Sequence, residues 1–158
     1  MNLQKKISIL GATGSIGDST LSVIRKHPDL FQAVSLTCYS SVEKLCDLIR
    51  EFKPQMVCVH SMNETRHIRE AFPELEVHSG PEGLVRVAEN PEAETLVAGI
   101  VGSAGIFPTF AAVSSGKNVA LANKEPLVMA GRLFLEEASK TGANILPTDS
   151  EHNAIFQV

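Results

Sequence analysis

The chain has 158 residues, of which 44% are hydrophobic and 20% charged, and its formal net charge is −4. That length suits one domain with a sizeable core, and the composition is that of a globular chain. A negative balance with scattered Lys and Arg argues against a nucleic-acid or anionic-surface footprint, and no apolar run reaches membrane length.

The predicted elements alternate from one end to the other. After a short polar start without signal-peptide character, the first strand is predicted over residues 6–10. It breaks into Gly11-Ala12-Thr13-Gly14-Ser15-Ile16-Gly17, and a helical pattern carried by Ile16, Leu21 and Ile24 runs on towards His27-Pro28. The spacing G-x-x-G-x-x-G varies the G-x-G-x-x-G dinucleotide pattern. Glycines allow a tight turn and close approach of a pyrophosphate, while a helix N-terminus offers free amides and partial positive charge. A plain βα turn is the alternative, but a strand before, a helix after and the first βα position favour dinucleotide binding. Gly11, Thr13, Gly14, Ser15, Ile16 and Gly17 are the candidate cofactor-binding residues of this turn.

The second strand is predicted over residues 33–38 and ends in Tyr39-Ser40-Ser41. An NAD site often places a carboxylate there for the ribose hydroxyls. Here none occurs before Glu43, which removes repulsion towards a 2′-phosphate and favours NADP; the nearest cation is Lys44. Ser40 and Ser41 either hydrogen-bond that phosphate or serve as plain helix N-caps. Val42, Leu45, Cys46, Ile49 and Phe52 then form an apolar helical stripe, with Glu43, Lys44, Asp47, Arg50 and Glu51 facing away. Strands are predicted next over 55–60 and 75–78. Ser40-x-x-Glu43, Ser61-x-x-Glu64 and Ser79-x-x-Glu82 all fit capping boxes. The three cysteines, Cys38, Cys46 and Cys58, lack paired spacing and read as buried, reduced thiols of a cytoplasmic protein.

A fifth strand over 95–101 ends in a second glycine cluster, Gly99-Ile100-Val101-Gly102-Ser103-Ala104-Gly105. Small residues there either keep a crevice open for a nicotinamide or allow close helix–strand packing. The sixth strand, 118–122, delivers Asn123-Lys124-Glu125, groups able to orient an amide or hold an anionic oxygen, or else an ordinary charged cap. Gly116 and Gly142 fit helix C′ positions, each just before a strand.

A seventh strand over 144–147 is followed by Asp149-Ser150-Glu151-His152. In an extended segment residues i and i+2 point the same way, so Asp149 and Glu151 can reach one hard cation such as Mg²⁺ or Mn²⁺. The competing reading is an Asp N-cap with Glu in the first helical turn. His152 can ligate, act as an acid or serve as a hydrogen-bonded neighbour. Strict strand–helix alternation predicts a doubly wound, Rossmann-type α/β domain over residues 1–158, with a mostly parallel sheet and helices on both faces.

Taken together, the glycine turn, Leu121-Ala122-Asn123-Lys124-Glu125 and Asp149-Ser150-Glu151-His152-Asn153-Ala154-Ile155-Phe156-Gln157 resemble the 1-deoxy-D-xylulose 5-phosphate reductoisomerase family. The resemblance covers the family's N-terminal, NADPH-binding portion; a catalytic domain and a helical C-terminal domain follow in the family. It implies rearrangement and NADPH-dependent reduction of 1-deoxy-D-xylulose 5-phosphate to 2-C-methyl-D-erythritol 4-phosphate in non-mevalonate isoprenoid synthesis, with Mg²⁺, Mn²⁺ or Co²⁺. It further implies a cytoplasmic, homodimeric full-length enzyme acting on a sugar phosphate, without nucleic acid or membrane as partner. By position, Thr13, Gly14, Ser15 and Ile16 match the pyrophosphate turn, and Asn123 and Glu125 the nicotinamide end. Lys124, Ser150 and Glu151 match substrate-binding positions, and Asp149 and Glu151 match metal ligands. Two departures stand out: Tyr39-Ser40-Ser41 replaces a Gly-basic-Asn type of turn, and Pro126 stands where serine is common. The competing functions are a semialdehyde- or homoserine-type dehydrogenase and a non-catalytic NADP(H)-binding module. The 158-residue chain alone is expected to bind NADPH weakly without turnover.

Overall fold

The computed structural model describes residues 4–148; Asp149, Ser150, Glu151 and His152 lie outside the described residues. Among the described residues seven strands form one sheet: β1 (Lys5–Leu10), β2 (Phe31–Thr37), β3 (Met56–Val59), β4 (Glu76–Ser79), β5 (Thr95–Ala98), β6 (Asn118–Leu121) and β7 (Ile145–Pro147). Their order across the sheet is β4-β3-β2-β1-β5-β6-β7, and every pairing is parallel. Six α-helices among the described residues lie between them: α1 (Ser15–Lys26), α2 (Val42–Phe52), α3 (Met62–Ala71), α4 (Gly80–Glu89), α5 (Ile106–Ser114) and α6 (Glu125–Thr141). The expected doubly wound α/β fold is the one adopted.

The period of two along each strand sends alternate residues into two separate cores. Ile7, Ile9, Val57, Val59 and Val97 pack with Leu21 and Ile24 of α1, Leu45 and Ile49 of α2 and Ile68 of α3. On the other face Leu10, Leu96, Ala98 and Val119 pack with Val87 of α4, Val113 of α5 and Phe134 of α6. Helices therefore cover both faces, three to a side, as a fully buried parallel sheet requires.

Helix ends follow the predicted punctuation only in part. Ser61 and Glu64 close a reciprocal capping box: the Ser61 amide donates to Glu64 Oε2 at 2.9 Å, and the Glu64 amide donates to Ser61 Oγ at 3.5 Å. The other two boxes do not form. Helix α2 starts one residue later than the Ser40 pattern requires, so Ser41 is its N-cap and Lys44, a cation, stands where the box needs Glu or Gln. Ser79 precedes α4 but its hydroxyl lies 3.0 Å from Met62 Sδ instead. Gly116 and Gly142 adopt the left-handed conformation at φ 73° and 77°, ending α5 and α6 as predicted. Strand β5 stops at Ala98, short of the predicted 101, because Gly99 onwards leaves the sheet to enter the short 3-10 turn Ser103–Gly105.

Candidate functional site

The sheet order reverses at β1, whose neighbours are β2 on one side and β5 on the other. Chains leaving the carboxyl ends of β1 and β5 turn to opposite faces and leave a crevice between them. A cavity of about 550 Å³ occupies it, lined by Gly11, Thr13 and Gly14, by the end of β2, and by Gly99, Ile100 and Ala104.

The three glycines of the first turn have different physical reasons. Gly11 takes φ +79°, and a Cβ there would lie 3.0 Å from the Gly99 carbonyl oxygen. Its amide donates to Thr37 Oγ1 at 2.8 Å, while the Ala12 amide donates to the Thr37 carbonyl at 2.8 Å. Gly17 lies inside α1, where a Cβ would come within 2.3 Å of the Ala12 carbonyl oxygen. The helix can press against its own turn only without a side chain. Gly14, the N-cap of α1, is different: its φ of −90° suits any residue, and a Cβ would meet only Gly11 O at 3.5 Å. Among the described residues no atom demands a glycine there, and Gly14 lines the cavity. Among the described residues no side chain caps α1, so the amides of its first turn keep their capacity to bind an anion. Ser15 and Ile16 begin that turn, with the Ile16 side chain lying over Gly99.

At the end of β2, Ser40 and Ser41 are both exposed, and Ser41 makes no side-chain cap hydrogen bond although it holds the N-cap position. Tyr39 is exposed and stacks on His60, ring centroids 4.2 Å apart, at the cavity wall. Lys44 reaches across from α2: its Nζ donates to the Thr13 carbonyl at 3.0 Å and to Asp18 Oδ2 at 2.8 Å.

The second glycine cluster is both closely packed and open to the cavity. A Cβ on Gly99 would lie 2.9 Å from Leu10 O, so close packing requires that glycine, and one on Gly105 would make a tight contact of 3.2 Å with Ile100 O. Gly99, Ile100 and Val101 also line the cavity. Beside them Asn123 is buried, and its amide group is consumed internally. Nδ2 donates to the carbonyls of Ile100 at 2.6 Å and Gly102 at 3.3 Å, while Oδ1 accepts from the Glu125 amide at 3.1 Å. Asn123 thereby ties the β5 loop to the start of α6. Lys124 is exposed as the N-cap of α6, and Glu125 opens that helix. The Thr148 amide donates to Leu121 O at 2.9 Å, which places Thr148 alongside the end of β6. Among the described residues no group of three or more His, Cys, Asp or Glu forms a metal cluster.

Sequence reasoning passed over Thr37, His60, Gly80, Pro81 and Leu84, which bring β2, β3 and β4 to the cavity. The signal for them is topological: Thr37, His60, Gly80 and Pro81 stand at or just beyond a strand's carboxyl end on one side of the switch point, and Leu84 follows within α4.

The family model for 1-deoxy-D-xylulose 5-phosphate reductoisomerase matches residues 7–131, spanning the glycine turn and Asn123-Lys124-Glu125. This chain belongs to that family. A reductoisomerase from Ralstonia nicotianae is 48% identical over 156 residues, covering 96% of this chain and 40% of its own length. One from Francisella tularensis subsp. novicida is 49% identical over 152 residues, 96% of this chain and 39% of its own. The chain thus spans about two-fifths of the curated relatives it matches. Among solved structures, a DOX-P reductoisomerase in complex with NADPH, fosmidomycin and magnesium superposes at a TM-score of 0.91 with 48% identity, over 97% of this chain and 38% of that one. The Zymomonas mobilis reductoisomerase in complex with NADPH superposes at 0.92 with 39% identity, over 98% and 41%. A homoserine dehydrogenase from Archaeoglobus fulgidus, at 0.56 and 18% identity over 91% and 42%, shares the fold.

Proposed function

We propose that this chain forms the NADPH-binding part of an enzyme that rearranges and reduces 1-deoxy-D-xylulose 5-phosphate to 2-C-methyl-D-erythritol 4-phosphate. The observation that carries the reading is the cavity at the switch point, bounded by an uncapped glycine turn whose middle glycine no protein contact requires. That is a cradle for a pyrophosphate. When bound, NADPH supplies the hydride, and Mg²⁺, Mn²⁺ or Co²⁺ supplies positive charge for the oxygens of the ketose phosphate.

The chain's own residues bind and orient. Gly11, Thr13, Gly14, Ser15, Ile16 and Gly17 shape the turn and present the first amides of α1 to the pyrophosphate. Ser40 and Ser41, whose hydroxyls are exposed at the start of α2, serve the adenosine ribose and its phosphate. Asn123 positions the loop that borders the nicotinamide end, Glu125 stands beside it, and exposed Lys124 offers an ammonium to an anionic substrate oxygen. Ser150 and Glu151 complete the substrate set, and the carboxylates of Asp149 and Glu151 are of the type hard divalent cations prefer. A homodimeric, cytoplasmic full-length protein, working on a small sugar phosphate without nucleic acid or membrane, belongs to the same reading. Buried free thiols at Cys38, Cys46 and Cys58 support a reducing compartment, and no described helix is long and apolar enough to cross a membrane.

The test is turnover by the intact protein. With NADPH, Mg²⁺ and 1-deoxy-D-xylulose 5-phosphate, one NADPH should be consumed for each methylerythritol phosphate formed, and chelation of the metal should stop the reaction. NADPH consumption that ignores chelation, or no product, would overturn the proposal.

A further inference from the structure

Resting on the dinucleotide reading, we propose that Lys44 is the cation that selects a nucleotide bearing a phosphate on its adenosine ribose, and that Asp18 parks it at the rim of the glycine turn. In this fold the adenosine ribose meets the end of the second strand, and a 2′-phosphate there needs a cationic partner. The end of β2 offers none: Tyr39, Ser40 and Ser41 are uncharged, and no lysine or arginine lines the cavity among the described residues.

Lys44 supplies what the strand end lacks. It sits in the first turn of α2, three residues after Ser41, and its Nζ stands 3.0 Å from the carbonyl of Thr13, a cavity-lining residue. Its second partner is Asp18 Oδ2 at 2.8 Å, and the two side chains are 43% and 53% exposed. An ion pair so open to water is weak and readily exchanged for a dianionic phosphate arriving between Ser40, Ser41 and Thr13. Asp18 keeps the ammonium over the turn in the free protein, yet its own carboxylate repels the incoming phosphate. The alternative role for Lys44 is a strut that merely holds the turn against α2, and such a strut would serve every dinucleotide equally.

Calorimetric titration of the intact protein with NADPH, NADH, adenosine 2′,5′-bisphosphate and adenosine 5′-monophosphate separates the two. Lys44→Met should weaken NADPH and the bisphosphate by about tenfold or more, the scale of a lost charge-assisted hydrogen bond. NADH and the monophosphate should shift by no more than about twofold, and Lys44→Arg should keep most of the selectivity. Asp18→Asn should tighten the bisphosphate while leaving the monophosphate little changed. Equal losses for all four ligands in Lys44→Met would make Lys44 a strut and overturn the proposal, as would no loss at all. Wild-type protein that binds NADH and NADPH equally would also sink it, while leaving dinucleotide binding intact. Wild-type protein that binds neither would instead sink the dinucleotide reading itself.

Discussion

At the scale of single residues, the glycines of the first turn separate fold from ligand. Gly17 is required by the protein, since any Cβ would collide with the Ala12 backbone at 2.3–2.5 Å. Gly17→Ala should destabilise the domain by about 3 kcal/mol, the upper range of overpacking, read as a lower denaturant midpoint. Gly14→Ala should cost about 1 kcal/mol or less, because its backbone conformation is ordinary and alanine is only a poorer N-cap. Its NADPH affinity should nevertheless fall, as the methyl group fills the side open to the pyrophosphate. An affinity unchanged in Gly14→Ala would count against the pyrophosphate cradle. The motif itself was legible in the sequence, but the division of labour within it was not. Which glycine meets backbone and which meets open space depends on atoms brought in by β5 and by the packing of α1 onto its own turn.

At the scale of elements, seven strands and the intervening helices fall where period and punctuation put them. Strand order and the capping details do not follow from the same signals. Two of three predicted capping boxes fail for local reasons: a one-residue shift puts Lys44 opposite Ser41, and the Ser79 hydroxyl turns to Met62. The contrast is measurable. Ser61→Ala removes a formed box and should cost about 1 kcal/mol in unfolding experiments. Ser41→Ala should leave the unfolding midpoint nearly unmoved, because no cap hydrogen bond is lost, and should lower NADPH affinity if the hydroxyl serves the ribose phosphate. Lys44 illustrates the limit of sequence reading well. Its proximity to the β2 end is visible in the chain, but its reach to Thr13 and Asp18 on α1 exists only after both helices pack on one face of the sheet.

At the scale of the molecule, the two cores hold the sheet between three helices on each side, and they bury all three cysteines. Burial, which disfavours the thiolate, pushes Cys38 and Cys58 up to about 12. In the unfolded chain these thiols ionise near the ordinary value, so the unfolded state releases protons that the folded state retains. The stabilisation is complete below about pH 8.5 and is lost progressively as pH rises from there towards 12. Midpoints of denaturation should therefore fall through this alkaline window. At neutral pH, thiol reagents should label Cys58, which is fully buried and away from the cavity lining, only through unfolding, and rapid labelling of that residue in the native protein would contradict its burial.

Alternation of apolar strands with amphipathic helices, a glycine turn after the first strand and the order of three motifs were enough, by themselves, to determine the fold class and the family. Those signals are local, carried by periods of two and 3.6 residues and by spacings within a few positions. Only the tertiary structure decided that the cavity extends from the β1–β5 switch point across the ends of β2, β3 and β4, that Asn123 spends its amide on two loop carbonyls, and that Lys44 stands over the glycine turn. Each of these depends on partners some twenty or more residues apart, and a side chain acquires such a partner through packing.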